Sequence, residues 1–384
     1  MLASSLTFIA GIAFVFFIRA TREPIKTFAQ PSTERITIIV PHFGNIDSVA
    51  YCLQSLALCS PLHIANIIVI LQGKSTQDQQ ILISQWESSI SLLVLLMEGA
   101  PNKCNAIRYG LDHVSDTSLI MLVDSDVKLH SETPEKMMIA IYGADVAYGI
   151  IHSRSTGRRH LLNAVIFWDK AISHGVWRWG RWVFDLWPNI PGQCYLIRKD
   201  LLNMVYKDVA GYLDDLDLTL ILVEQKCKIK FVATVVGEEG SRCNWAGLFL
   251  QRARWTAGIA QACSRVVKSQ KRRPQVAACI LLHSWLYHGW PVTVAVTCSI
   301  LLLSNTNHSA SLMALFIVSW SVLALYGKSN LRRCKRQEDT ALLSYLLLPF
   351  AAICIVMAQT VGIVLMPVIY LAGRLNLHNI VHRR

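Results

Sequence analysis

The chain has 384 residues, of which 53% are hydrophobic and 16% charged, and its formal net charge is +12. This composition is too apolar for one ordinary soluble domain. The basic residues cluster beside apolar segments, which is typical of attraction to anionic lipid headgroups and argues against a nucleic-acid-binding protein. The apolar excess lies in stretches without Lys, Arg, Asp or Glu, at residues 2–18, 277–303, 310–326 and 341–372.

The apolar stretches predict an integral membrane protein. Basic side chains follow the first stretch and none precedes it, which favours an uncleaved anchor over a signal peptide and places the next domain on the cytoplasmic side. The last stretch exceeds one span and suggests a hairpin, with one long span as the alternative. The predicted organisation is an N-terminal anchor at 1–20, a globular cytoplasmic domain at 33–262 and a C-terminal bundle of three or four transmembrane segments at 276–373.

Strands and helices alternate along the first half of the globular domain. Runs of aliphatic and β-branched residues predict buried strands at 36–40, 64–71, 92–97 and 118–123. Helical periodicity separates them at 47–58, 76–89 and 102–114. This alternation predicts a Rossmann-like α/β fold with a doubly wound, mostly parallel sheet. Ligands of such sheets bind beyond the carboxyl ends of the strands.

Two carboxylates follow the fourth predicted strand, in Asp124-Ser125-Asp126. Side chains two residues apart point to the same face of an extended segment. Carboxylates leaving a buried strand require a cation, and Mg²⁺ or Mn²⁺ held by one or two carboxylates and by diphosphate oxygens meets that requirement. A solvated turn is the alternative interpretation. Lys103, at the start of the third predicted helix, offers an anion site or is an ordinary surface lysine.

Three further carboxylates lie close together at Asp214, Asp215 and Asp217. Their mutual repulsion raises at least one pKa, which favours a general base. The alternative is an acidic helix N-terminus stabilised by the helix dipole, and it competes most strongly for Asp217.

Further along the chain, a glutamine, an arginine and a tryptophan lie on one face of a predicted helix. Gln251, Arg254 and Trp255 have the spacing i, i+3, i+4. The guanidinium suits a diphosphate and the indole suits a sugar ring, although Trp255 also fits a membrane-interface anchor. Residues 177–188 are rich in Trp and Arg, which indicates a segment in the headgroup layer, either on the path of a lipid acceptor or as a prop for the domain.

In this order the motifs resemble those of the membrane-integrated inverting glycosyltransferases of the GT-A fold. That group includes ceramide glucosyltransferases and the cellulose, chitin and hyaluronan synthases, and the resemblance covers residues 36–257. It implies a GT-A domain flanked by transmembrane helices and a Mg²⁺ or Mn²⁺ cofactor. It further implies that Asp126 ligates the metal and that Asp215 takes the proton from the acceptor hydroxyl.

The same resemblance assigns the remaining site residues. Donor binding falls to Lys103, Asp124, Gln72, Gln251, Arg254 and Trp255, and the acceptor side to Trp255 and Asp214. Gly192-Gln193-Cys194 occupies the place of a small-residue turn under the donor sugar. One departure is that the early strand ends in Gln72 where the family has an Asp. Either Gln72 serves instead, or Asp78 reaches back, or the nucleotide contact is weaker.

These features predict transfer of a hexose from a UDP-sugar to a hydroxyl of a membrane lipid, ceramide-like in class. The expected partners are the UDP-sugar donor, the lipid acceptor and the membrane, with no nucleic acid. A processive polysaccharide synthase and a catalytically inactive membrane scaffold stay open as alternatives.

Overall fold

The computed structural model describes residues 34–115, 117–154, 160–183, 186, 188–209, 213–240, 244–268, 274–285, 308–333 and 342–374. The predicted N-terminal anchor lies outside the described residues, as does most of the predicted span at 277–303.

The first half of the domain is a parallel α/β unit. Its strands are β1 (Ile36–His42), β2 (Ile64–Gln72), β3 (Leu92–Met97) and β4 (Leu119–Val123), and its helices are α1 (Ile46–Ala57), α2 (Thr76–Trp86) and α3 (Lys103–Leu111). Strand β1 pairs in parallel with β2 and β4, and β2 pairs in parallel with β3. The predicted alternation is therefore confirmed, and it brings the ends of β1, β2 and β4 to one edge of the sheet.

The second half makes the sheet mixed. It adds β5 (Val127–Leu129), β6 (Val146–Arg154), β7 (Cys194–Arg198) and β8 (Ile229–Gly240), and the strand order is β3-β2-β1-β4-β7-β6-β8-β5. Strand β7 is antiparallel to both β4 and β6, and β5 is antiparallel to β8. The prediction of a mostly parallel sheet holds for the first half and for the β6–β8 pair, which is also parallel, but not for β5 and β7. The physical reason is that β7 begins where β4 ends, since Asp124 N donates to Gln193 O at 2.9 Å.

The remaining helices surround this sheet. They are α4 (Thr133–Ile141), α5 (His160–Ile172), a π-helical turn (Ser173–Arg178), α6 (Trp179–Val183), α7 (Lys199–Val205), α8 (Asp214–Glu224), α9 (Trp245–Lys268), α10 (Pro274–Ser284), α11 (His308–Arg333), α12 (Leu342–Leu346) and α13 (Leu348–Arg374). Helices α11 and α13 pack against α5, and α13 also packs along α9.

The last apolar stretch forms one long helix. Helix α13 runs through 27 residues without a break, so the predicted hairpin is wrong. At 1.5 Å per residue it is about 40 Å long, more than the thickness of a bilayer core. Within the described ranges, Leu348–Ile369 is the one segment long and apolar enough to cross a membrane.

The Trp- and Arg-rich segment lies inside the protein. Trp177, Arg178, Trp179 and Arg181 are all buried, so the predicted position in the headgroup layer is wrong for them. The reason is that the guanidinium groups find acceptors within the fold. Arg178 Nε donates to Asn189 O at 3.2 Å, and Arg181 Nη1 donates to the Pro188 carbonyl at 3.4 Å.

Candidate active site

Lys103 joins three separate parts of the chain at the edge of the sheet. Its Nζ lies 2.7 Å from Asp124 Oδ1 and 3.2 Å from Asp214 Oδ2, and it donates to Gly192 O at 2.9 Å. An ammonium group has three protons, so all of them face acceptors within the protein. The structure thus places Lys103 as a bridge between carboxylates. A diphosphate would have to displace one of these acceptors to contact it.

The charge of Lys103 is maintained by this arrangement. Burial disfavours an ammonium ion, but the carboxylates of Asp124 and Asp214 outweigh that effect and raise the pKa of Lys103 above its ordinary value. The lysine therefore stays cationic at neutral pH.

Asp215 has the environment of a general base. Its Oδ2 accepts from Gly192 N at 3.1 Å, and Thr219 Oγ1 donates to its backbone carbonyl at 2.7 Å. Burial, and next the charge of Asp214, raise the pKa of Asp215 to about 6, while Lys103 and the Gly192 N–H act in the opposite direction. A carboxylate with a pKa near neutrality can accept a proton from a hydroxyl and release it again.

Gly192 allows this close packing. A Cβ at this position would lie 3.2 Å from Asp215 Cβ and 3.4 Å from Lys103 Nζ, so a larger side chain would push the base or the lysine aside. The sequence singled out Gly192 through the family resemblance alone, because no spacing rule marks a glycine that touches a residue so distant in the chain.

The third acid of the cluster has another role. Asp217 is buried, and its Oδ2 lies 2.6 Å from Nη1 of Arg265 on α9. This ion pair ties the start of α8 to α9, a structural role that the sequence analysis did not foresee for Asp217.

Gln72 supports the start of α3. Its side chain is buried, and its Oε1 accepts from Asn102 N at 2.7 Å, directly before Lys103. Asp78 forms a capping box with Ser75 at the beginning of α2, and Ser75 N donates to Asp78 Oδ2 at 3.0 Å. Asp78 is therefore engaged in its own helix, and Gln72 occupies the strand end where the resemblance predicts an acid.

Asp124 and Asp126 belong to a turn. Val127 N donates to Asp124 O at 3.0 Å, which closes the turn between β4 and β5. The predicted shared face of an extended strand is therefore wrong, because the chain reverses there. Between the two acids, Ser125 Oγ lies 3.0 Å from Nδ1 of the buried His42 at the end of β1. Sequence reasoning gave His42 no role in the site, although its position at the end of β1, beside the end of β4, could have indicated one.

The residues of the turn fit a divalent cation bound together with a donor. Asp126 is partly exposed, whereas Asp124 Oδ1 is already paired with Lys103. Among the residues that the structure describes, no three His, Cys, Asp or Glu side chains form a metal-binding group. A Mg²⁺ site made of one or two carboxylates completed by diphosphate oxygens needs no third protein ligand.

Helix α9 contacts the residue that precedes α8. A Cβ on Gly258 would lie 2.6 Å from the side chain of Leu213, which immediately precedes Asp214. Gln251, Arg254 and Trp255 lie on the turns of α9 before Gly258 and on its side of the helix, and all three are partly exposed. The structure thus brings Lys103, Asp124, Asp214 and Asp215 together, and α9 contacts the residue before Asp214 at Gly258.

Arg178 is a further residue that sequence reasoning did not assign to the site. The π-helical turn directs it inward, where its Nη1 lies 2.6 Å from Nε2 of His174. Burial and then the charge of Arg178 lower the pKa of His174 well below its ordinary value, so this histidine is neutral. The positive charge of Arg178 also acts to lower the pKa of Asp215.

No protein-family model matches the sequence, and no curated protein does either. Several solved structures resemble this chain, and one of them has a TM-score above 0.5. The mannosyltransferase PcManGT from Pyrobaculum calidifontis, in complex with GDP-Man and Mn²⁺, has a TM-score of 0.56 at 14% identity, over 86% of this chain and 97% of that one. TarS 1-349 from S. aureus has a TM-score of 0.45 at 12% identity, over 78% of this chain and 89% of that one. The likeness to the mannosyltransferase supports the predicted α/β fold.

Proposed function

We propose that this protein is an inverting hexosyltransferase that moves a hexose from a UDP-sugar to a hydroxyl of a ceramide-like membrane lipid. The observation that carries the proposal is Asp215, whose carboxylate is held by the Gly192 N–H and has a pKa of about 6. It lies beside the Asp214–Lys103–Asp124 bridge at the carboxyl edge of the parallel strands.

The chemistry follows from these positions. Asp215 takes the proton of the acceptor hydroxyl, and the oxygen attacks the anomeric carbon of the donor while the bond to the diphosphate breaks. One displacement of this kind inverts the configuration at that carbon. Asp214, on the acceptor side, forms an ion pair with Lys103 that balances the charge of the lysine. Arg254 and Gln251 on α9 bind the departing diphosphate.

A divalent ion belongs to the proposal. Asp126, with Asp124 nearby, would hold Mg²⁺ or Mn²⁺, and a bound ion supplies positive charge that stabilises the departing diphosphate. The mannosyltransferase of similar fold was solved with Mn²⁺ and GDP-Man, which supports a metal-dependent nucleotide-sugar reaction.

Helix α13 supports an acceptor drawn from the membrane. Its apolar side chains at Phe350, Met357, Val364 and Val368 are more than half exposed. An apolar face of this kind is typical of contact with lipid. The helix packs along α9, so a site beside the α9 motif lies close to the proposed bilayer surface. The proposal therefore includes an integral membrane protein whose catalytic domain faces the cytoplasm.

The test uses membranes that contain the wild type, Asp215→Asn, or Asp200→Asn as an exposed-carboxylate control. Each receives a panel of radiolabelled UDP-hexoses and GDP-mannose with Mg²⁺ or Mn²⁺, and lipid-extractable label is separated from polymer. We expect label from a UDP-hexose in the lipid fraction, retained in Asp200→Asn and lost in Asp215→Asn. Label in a high-mass polymer would identify a polysaccharide synthase instead. No Asp215-dependent incorporation would indicate an inactive scaffold.

A further inference from the structure

Two adjacent residues of α5 reach different parts of the site. Asp169 Oδ2 lies 2.5 Å from Nη2 of Arg252 on α9. Arg252 is buried, and its guanidinium stacks on the ring of Trp255, with Cζ 4.4 Å from the ring centroid. Asp169 thus holds the guanidinium of Arg252 in place, and that guanidinium stacks on the indole of Trp255.

Lys170 reaches toward the opposite side. Its Nζ lies 3.0 Å from Oε2 of the buried Glu239 near the end of β8. The same carboxylate oxygen accepts a hydrogen bond from Nε2 of Gln193. Gln193 follows Gly192, and its carbonyl accepts from Asp124 N at 2.9 Å. Lys170 is therefore connected to the turn that borders Asp124 and Asp215.

Both connections depend on buried charge. Removing one member of a buried ion pair leaves the other without its partner, and the unpaired side chain moves to find another. Asp169 and Lys170 are neighbours in one regular helix, so α5 holds both connections on a single rigid support.

We propose that Asp169 and Lys170 are positioning residues for opposite halves of the site. Asp169, through Arg252, sets the orientation of Trp255 toward the acceptor. Lys170, through Glu239 and Gln193, sets the turn beside the donor. This inference rests on the proposed function, and it deepens that function by assigning acceptor and donor selectivity to separate supports.

The experiment compares Asp169→Asn with Lys170→Met in purified full-length protein. The substrates are the UDP-hexose that the wild type transfers and ceramide in phosphatidylcholine vesicles. Three quantities are measured: KM for ceramide, KM for the donor, and UDP release by donor hydrolysis without ceramide. In Asp169→Asn we expect the KM for ceramide to rise on the order of tenfold, with the other two quantities unchanged. In Lys170→Met we expect the donor KM to rise and UDP release to fall, with the KM for ceramide unchanged.

Two further variants separate positioning from general stability. Asp169→Glu retains the charge and should restore the KM for ceramide, whereas Arg252→Gln added to Asp169→Asn should cause no further loss. Equal changes in both Michaelis constants, or a loss that only follows the melting temperature, would overturn the inference while leaving the proposed function standing. A wild type that transfers no sugar from any donor would overturn the proposed function itself, and the inference with it.

Discussion

The balance of charges around Asp215 determines when it can act as a base. Burial and the carboxylate of Asp214 raise its pKa to about 6, while Lys103 and Arg178 limit the rise. Because Lys103 is paired with Asp214 at 3.2 Å, it also reduces the repulsion that Asp214 exerts on Asp215. Removing the lysine charge should therefore move the pKa of Asp215 upward.

The first prediction concerns the pH dependence of transfer. Since Asp215 must be deprotonated to accept a proton, kcat/KM should increase as pH rises through about 6 and then level off. In Lys103→Met the midpoint should lie at higher pH. The profile is measured with the transferred UDP-hexose, and Lys136→Met, which removes a partly exposed lysine paired with Glu132, is the control. An unshifted midpoint in Lys103→Met would contradict the assigned charge balance.

The second prediction is that Asp215→Asn stabilises the protein near neutral pH. A folded-state pKa raised from 3.8 to about 6 favours the protonated form, so this residue's stability contribution is full below pH 3.8 and is lost as pH rises through 6. Asparagine does not titrate and avoids that loss. After allowance for partial exposure, we expect a gain of about 1–2 kcal/mol at pH 8 and none at pH 4. Denaturant unfolding of the purified protein at both pH values measures it, and equal gains at both would contradict the assigned pKa.

The third prediction uses a matched pair of glycines. In Gly192→Ala the new methyl group would stand 3.2 Å from Asp215 Cβ, so the Asp215 side chain should shift. The activation barrier should then rise by about 1.4 kcal/mol or more, and activity should fall tenfold or more. Gly240 has nothing within 4 Å of an added Cβ, so Gly240→Ala should keep its activity. Transfer rates and melting temperatures of both variants provide the comparison. Equal rates would show that the close contact at Gly192 is unimportant.

At the scale of elements, local sequence patterns were sufficient to predict a strand where consecutive residues are apolar and buried. Leu92–Met97 was predicted with the observed bounds, because a run of aliphatic residues between polar turns has few other interpretations. The antiparallel insertion of β7 was not predicted, since it depends on where the chain returns after α5 and α6. The Trp- and Arg-rich segment was misplaced for a related reason: sequence cannot show that Asn189 O and Pro188 O lie ready to accept from its arginines.

The candidate site divides in the same way. Residue types and order predicted that Asp124, Asp214 and Asp215 would carry the chemistry, and the structure places them around one lysine. Which acid pairs with which cation was beyond the sequence. Asp217 pairs with Arg265 across two helices, and only the packing of α8 against α9 determines that partner.

The fourth prediction belongs to the contact between α9 and α13. A Cβ on Gly362 would lie 2.9 Å from backbone and side-chain atoms of Arg252, so the helices touch directly behind the α9 motif. Gly362→Leu should separate them, lower the free energy of unfolding by about 1–3 kcal/mol and reduce transfer. Val364→Leu, at a position 69% exposed on the same helix, is the control and should do neither. Unfolding in detergent and transfer assays measure both effects, and a Gly362→Leu protein that behaves like the control would contradict the close contact.

At the scale of the whole molecule, the C-terminal helices are both a support for the site and an apolar surface. One side of α13 packs on α5 and α9, while the opposite side exposes large apolar side chains. Helix α11 likewise exposes Val318 and Val322. Exposing these apolar side chains to water costs free energy, whereas contact with the hydrocarbon of a bilayer does not. Under the proposed function, a site built against these helices would be held near the membrane that supplies the lipid acceptor.

The fifth prediction tests this orientation with a lipid-soluble carbene-generating probe in carbonate-washed membranes. Photolysis should label the exposed face of α13, as at Phe350 and Met357, because those side chains contact hydrocarbon. The opposite face, as at Ala352, should stay unlabelled because it is buried against the domain. Leu62 is an internal control: it is 78% exposed but lies in the α/β domain, so it should face water and escape the probe. Peptide mass spectrometry locates the label, and labelling of Leu62 as strong as that of Met357 would show that exposure alone, without a bilayer around α13, determines the pattern.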